Sequence, residues 1–314
     1  MQSAFARRIR TFPLIWFGAA GMILLGPVLL VLTLLLDIPH PRRLPRTRFL
    51  LFLALYLCAE AVGSIVALTM GGDPARNYAL QRRWAAALGE GGLQSLYGVK
   101  VEVEGAASLV DGPYLLLLRH AALPDTLLPM LHAAIPHRLR PRYVLKRELL
   151  YDPCLDIVGN RLPNVFVSRE GGDAAGRAAI VRLAAGMGAG DFAVIYPEGT
   201  RATPEKRARV LATLDGEQRA WAERLRVLLP PRPGGVLALL EGATTADVVF
   251  CAHAGLESVT TMADLWRGTL WRSTWRVRYW RVPRAEIPDD AAGRTAWLRA
   301  WWERLDAWVV AVGR

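Results

Sequence analysis

Two short stretches of the sequence carry residue types that can do chemistry. The first is Arg119-His120-Ala121-Ala122-Leu123-Pro124-Asp125. A carboxylate bonded to one imidazole nitrogen fixes the ring's tautomer and raises the basicity of the other nitrogen. That second nitrogen can then take a proton from an alcohol. The spacing alone does not separate a catalytic pair from a structural one. The second stretch is Tyr196-Pro197-Glu198-Gly199-Thr200-Arg201. Gly199 permits close backbone approach. Arg201 offers a two-pronged fork suited to phosphate, and Glu198 can orient either that arginine or a substrate. Read alone, it is equally a polar loop with an internal Glu–Arg pair.

Both stretches follow apolar runs of the kind that form fully buried strands, Tyr114 to Leu118 and Phe192 to Tyr196. A histidine at a strand end sits where sheet proteins bind ligands. Further strands are predicted at Val99 to Val103, Tyr143 to Leu145, Val165 to Val167, Val248 to Cys251 and Trp275 to Val282. Pro124 to Ala134 and Ala174 to Met187 read as helices. Trp297, Trp301, Leu305, Trp308 and Val312 mark one face of a terminal helix. Strands alternating with helices imply an α/β domain, with a central, mostly parallel or mixed sheet flanked by helices.

The two motifs, in this order, resemble those of the glycerolipid acyltransferase family, whose best-known members make phosphatidate from lysophosphatidate. That family carries an N-H-x4-D box and, further on, a box close to F-P-E-G-T-R. Here Tyr196 replaces the phenylalanine and the rest of the second box matches. Between them Lys146-Arg147-Glu148-Leu149, Pro153, Gly159 and Phe166-Val167-Ser168-Arg169 resemble the family's intermediate segments. Leu228-Leu229-Pro230-Pro231-Arg232-Pro233-Gly234-Gly235 resembles a Pro-Arg-x-x-Gly segment of one branch. Arg119 stands where asparagine is usual, Ser168 where aspartate is usual, and the Val249 to His253 run lacks the proline of a late box.

The resemblance implies acyl transfer from a thioester to a lysophospholipid hydroxyl, most simply 1-acylglycerol-3-phosphate giving phosphatidate. Acyl-CoA or acyl-carrier protein would serve as co-substrate, with no cofactor, metal or covalent acyl-enzyme required. His120 would be the base and Asp125 its support. Arg201, Arg169 and Lys146 would grip the acceptor phosphate, Glu198 would meet its glycerol, and Gly199 and Thr200 complete the substrate-binding loop. Other lysophospholipid acceptors fit the same motifs. A metallohydrolase built on His120, Asp125 and Glu198, or a non-enzymatic basic membrane adaptor, are the readings from other classes.

The rest of the chain agrees with a lipid setting. Hydrophobic residues make up 53% of the 314, and the net charge is +11. Such a balance favours an anionic partner, either a bilayer or phosphorylated substrates; no nucleic-acid motif is present. Cys58, Cys154 and Cys251 are too few and too far apart for a disulfide framework or zinc ribbon. Phe12 to Leu36 is uncharged, and at about 1.5 Å per residue it exceeds the ~30 Å hydrocarbon core of a bilayer. Phe49 to Met70 is a second apolar stretch, interrupted by Glu60.

Residues 1–75 therefore read as a two-helix membrane-anchoring module and 76–314 as the catalytic domain, expected on the cytoplasmic face of a membrane. Arginines flank both ends of both apolar segments, so the positive-inside rule gives no orientation. Two spanning helices would put the linker arginines on the far side of the membrane, whereas a re-entrant or interfacial hairpin would keep them all on the cytoplasmic surface. Trp266, Trp271, Trp275 and Trp280, interleaved with Arg267, Arg272, Arg276, Arg278 and Arg281, suggest a second surface for anionic lipid.

Overall fold

The computed structural model describes residues 4–168 and 174–313. Its helices are α1 (Ala4–Leu36), α2 (Pro45–Met70), α3 (Pro74–Ala86), α4 (Pro153–Arg161), α5 (Ala174–Ala184), α6 (Pro204–Ala212), α7 (Gly216–Arg224), α8 (Pro233–Gly242), α9 (Met262–Arg267) and α10 (Ala291–Val312). Its strands are β1 (Lys100–Glu104), β2 (Tyr114–Leu118), β3 (Arg140–Lys146), β4 (Val165–Val167), β5 (Asp191–Ile195), β6 (Asp247–Ala254) and β7 (Thr274–Val282). They form a seven-stranded sheet in the order β1-β7-β6-β2-β5-β3-β4. β2 runs parallel to β5 and β6, β3 runs parallel to β5, and β7 is antiparallel to β6. The expected α/β class with a mixed sheet is thus the observed one.

Two compact units divide the chain. The first comprises Met1–Lys100, Leu145–Ser168 and Thr261–Ser273, so it holds the whole predicted anchor and more. α1 and α2 are both long and apolar enough to cross a membrane. Sequence-local signals set the helix starts. Pro45 opens α2, Asp73 caps α3 through Ala75 N–H, and Asp152 caps α4 through Leu155 N–H.

α2 is packed along its length by polar-rich elements of the same unit. Phe49 meets Trp266 edge-on at 5.5 Å and Phe52 meets Tyr97 at 5.7 Å. Glu60 accepts the Trp84 indole N–H at 2.5 Å and the Cys154 amide at 3.3 Å. A side chain at Gly63 would strike Cys154 Sγ, and Arg161 donates to the Ala67 carbonyl. α1 is tied at its start, where Arg7 and Arg8 both bond the fully buried carboxylate of Asp156 in α4. Its exposed face carries Phe17, Leu24, Val28, Val31 and Leu35 at helical spacing.

The second unit comprises Val101–Val144, Arg169–Thr260 and Thr274–Arg314. β2 and β5 are buried at every position and form the middle of its core, as expected for strands covered on both faces. Phe250 of β6 packs against Trp297 and Trp301 of α10, at 5.2 and 4.7 Å between ring centres. The predicted helix at Pro124 to Ala134 is present but irregular: a tight 3₁₀ turn at Pro124–Leu127 leads through Leu128 and Pro129 into a wider π-type turn at Met130–Ala134. Pro129 has no N–H to continue the ladder back to Asp125.

Candidate active site

The register of β2 on β5 builds the site. Leu117 lies beside Ile195, so the chains leaving these two parallel strands emerge side by side at their carboxyl ends. One exit carries Arg119 and His120; the other carries Tyr196 to Arg201. Between them the backbone of His120 is held at both ends. Its N–H donates to Glu198 Oε1 at 2.8 Å, and its carbonyl accepts from Ala202 N–H at 2.8 Å.

The ring of His120 is equally constrained. Nδ1 lies 3.0 Å from Asp125 Oδ1. A carboxylate can only accept, so Nδ1 carries the proton and Nε2 keeps its lone pair. Asp125 is fully buried, and its Oδ2 also accepts the N–H groups of Ala121 and Ala122 at 2.8 and 2.9 Å. Burial would raise its pKa, but bonds from His120 and His253 and their charges outweigh it and hold the carboxyl well below the ordinary range. Tyr196, half-buried, packs against the imidazole at 4.8 Å between ring centres. The His120 side chain remains 16% exposed, so a reactant can reach it. The arrangement has the fixed tautomer and the open nitrogen that a base acting on an alcohol needs.

Residues 100–250, which include both loops, match the family model described as Acyltransferase. That segment is an acyltransferase domain. No curated protein matches it. Among solved structures it is similar to the crystal structure of the 1-acyl-sn-glycerophosphate (LPA) acyltransferase PlsC from Thermotoga maritima. The TM-score is 0.54 at 15% identity, over 85% of this chain and 97% of that one. At that identity the likeness is one of fold.

The other residues expected at the acyltransferase's site fall into three groups. Glu198 differs most from expectation. It is 2% exposed, and its second oxygen accepts the Leu229 N–H at 3.0 Å. It therefore braces the histidine loop from behind instead of facing the acceptor's glycerol. Burial pushes its carboxyl up to about 8, against the opposing pull of the two amides and Arg119. Gly199 turns at φ +67°, in the left-handed region, which lets the loop fold back beside Arg232. Thr200 and Arg201 are half-buried at the loop's end, and Arg201 Nη1 donates to the Thr260 carbonyl at 2.7 Å. Lys146 closes β3 and belongs to the first unit. Arg169 lies outside the described residues.

Several supporting residues carry no sequence signal. Arg119, in the usual asparagine position, is buried and bonds the His253 carbonyl and, at 2.6 Å, Glu257. His253 is fully buried, with Nε2 3.2 Å from the Arg119 carbonyl and 3.5 Å from Asp125 Oδ2. It therefore sits behind the Asp125 carboxylate. Asp306 of α10 accepts the N–H groups of Arg226, Val227 and Leu228 at 2.8–2.9 Å, and Trp302 donates to the Leu229 carbonyl at 2.8 Å. α10 thus fixes the strand of backbone that fixes Glu198. Burial drops His132 to about 4, so it is neutral against Tyr279, 2.7 Å away. Burial, with Glu60 and Asp152 nearby, pushes the Cys154 thiol far up and away from nucleophilic use. Among the described residues no three His, Cys, Asp or Glu side chains cluster as metal ligands.

Proposed function

We propose that the acyltransferase moves a fatty-acyl group from acyl-CoA or acyl-carrier protein to the free hydroxyl of 1-acylglycerol-3-phosphate, giving phosphatidate. The observation that carries this reading is the His120–Asp125 pair, with Nε2 as the open nitrogen beside a loop ending in Arg201. His120 Nε2 takes the acceptor's hydroxyl proton as the oxygen attacks the thioester carbonyl. The tetrahedral intermediate expels the thiolate, which receives the proton from the imidazolium. Asp125 holds the tautomer and offsets the transient positive charge. Base catalysis of this kind is worth roughly 10²–10⁴-fold; holding two amphiphiles together in reacting geometry supplies the rest. Arg201 grips the acceptor phosphate, and Glu198 acts on His120 through the backbone.

The α1–α2 hairpin is the membrane attachment in this reading, lying in one face of the bilayer with the catalytic domain on the cytoplasmic side. Support comes from α2, which is flanked by Trp266 near its start, Trp84 at its middle and Arg161 at its end. Protein therefore covers one face of α2, which keeps Leu51, Val62, Ile65 and Leu68 exposed, while α1 keeps a longer apolar stripe open; a hairpin lying in the interface would give both apolar faces to lipid. The test is a panel of lysophospholipids offered with acyl-CoA and acyl-carrier protein, with products read by mass spectrometry. Phosphatidate as the dominant product is expected. Acylation of choline or ethanolamine lysolipids in preference would reassign the acceptor.

A further inference from the structure

The tryptophans and arginines between Leu265 and Val282 do not form one surface. From Trp275 onward they are satisfied within the second unit. Trp275 is 1% exposed, and Trp280 packs edge-on against Trp308 at 5.6 Å. Arg276 pairs with Glu102, Arg278 with Glu104 and Arg281 with Asp247, at 3.1, 3.2 and 2.7 Å. Before Thr274, in the first unit, the pattern is different. Arg272 stacks on Trp271 at 4.9 Å, and Arg43, from the turn joining α1 to α2, approaches the same ring at 5.8 Å. Both arginines are exposed, and neither has a carboxylate partner among the described residues. The exposed Arg42 lies next in the chain.

The local structure holds these cations in place. Pro45, at the first turn of α2, packs under Gly268, and Phe49 packs on Trp266. Together these contacts seat the α9 segment on the hairpin's turn. Arg272 sits at φ +52°, in the left-handed region that a residue with a side chain rarely adopts. Its N–H is fixed by the Tyr97 carbonyl at 2.9 Å. Trp266 and Met262 remain 39% and 47% exposed beside them. An indole flanked by two uncompensated guanidinium groups, next to exposed apolar side chains, matches the layered chemistry of a bilayer interface. There the ring sits at headgroup level and the cations meet lipid phosphate.

We propose that Arg43, Trp271 and Arg272 form a docking clamp for the phosphate of an anionic bilayer lipid, separate from the acceptor site. This rests on the reading that the protein works at a membrane surface. Hydrophobic insertion by α1 then supplies attachment to any bilayer, and the clamp supplies preference for an anionic one.

The test is flotation of the full-length protein with phosphatidylcholine vesicles, with and without phosphatidylglycerol. Each arginine near an anionic surface is worth about 1 kcal/mol, so Arg43→Gln with Arg272→Gln should weaken partitioning onto anionic vesicles about thirtyfold. Binding to neutral vesicles should not change. Arg276→Gln with Arg278→Gln removes the same charge from residues already paired, and should change anionic binding less than about threefold on that basis. A clamp variant that still prefers anionic vesicles as the wild type does would overturn the proposal. So would an equal loss in the paired-arginine control, which would make net charge the cause. Wild-type protein that binds anionic but not neutral vesicles would sink the hairpin reading and leave the clamp standing.

Discussion

Glu198 accepts the backbone N–H of His120, so the carboxyl group of one loop sets the position of the histidine in the other. Its own titration then matters to folding. Burial raises it to about 8 from an ordinary value of 4.5. Between those values the folded chain holds a proton that the unfolded chain has lost. Stability from this group is therefore complete below about 4.5 and drains away as pH rises to about 8. Glu198→Gln is neutral throughout, and its amide N–H₂ opposes one of the two backbone donors. Urea denaturation should show the wild type's advantage over Glu198→Gln shrinking from pH 5 to pH 8. An advantage independent of pH would mean that the carboxyl is not raised.

His120→Ala should abolish acyl transfer by roughly 10²–10⁴-fold while leaving the circular dichroism spectrum and thermal midpoint near those of the wild type. Asp125→Asn should lose a similar amount for a different reason. The asparagine can present its amide N–H₂ to Nδ1, which moves the ring proton to Nε2, the nitrogen that must accept the hydroxyl proton. Retention by His120→Ala of more than about a tenth of wild-type rate would place it below the low end of base catalysis and remove it from the mechanism.

Asp306 is tied to the Glu198 loop without touching His120. Its carboxylate accepts three consecutive backbone N–H groups, and the next residue, Leu229, gives its N–H to Glu198. Asp306→Ala leaves buried donors unpaired, at a cost of about 1–3 kcal/mol each where water cannot reach them. The expected result is a lower thermal midpoint together with a kcat reduced about tenfold, on the order of the ~1.4 kcal/mol that misplacing a positioned base costs. KM for both substrates should stay near wild type. A fall in stability with unchanged kcat would show that the loop's ties to α10 do not reach His120.

The parts of this architecture that were legible in the sequence are those whose partners lie close in the chain or whose environment is uniform. β2 and β5 read correctly because strands buried on both faces must be apolar without interruption. The His120–Asp125 pair read correctly because one tight turn brings it together. Glu198 did not, because its partners are the backbone N–H groups of His120 and Leu229, and a backbone donor has no residue type to betray it. Asp306 and His253 escaped for the same reason of distance: each is ordinary in its own helix or strand and acquires meaning only from a loop far away in sequence. The helix expected at Pro124 to Ala134 is there, but its irregular winding was not legible, since Asp125 turns back to cap Ala121 and Ala122 and Pro129 brings no N–H to the ladder.

Arg201 is the residue whose substitution separates the two substrates. One guanidinium nitrogen is committed to the Thr260 carbonyl at 2.7 Å, which fixes the side chain and leaves its remaining N–H groups for a ligand. Lysine can either reach that carbonyl or point its single ammonium at a phosphate, and it cannot offer a fork while doing so. Arg201→Lys should therefore raise the KM for 1-acylglycerol-3-phosphate at least tenfold, consistent with losing one charge-assisted hydrogen bond of about 1.5–3 kcal/mol. The KM for acyl-CoA should be unchanged. The variant should also discriminate less between 1-acylglycerol-3-phosphate and monoacylglycerol, which lacks the phosphate, when initial rates are compared at equal low concentrations. A rise confined to the acyl-CoA KM, with discrimination intact, would move Arg201 from the acceptor's phosphate to the phosphates of the donor.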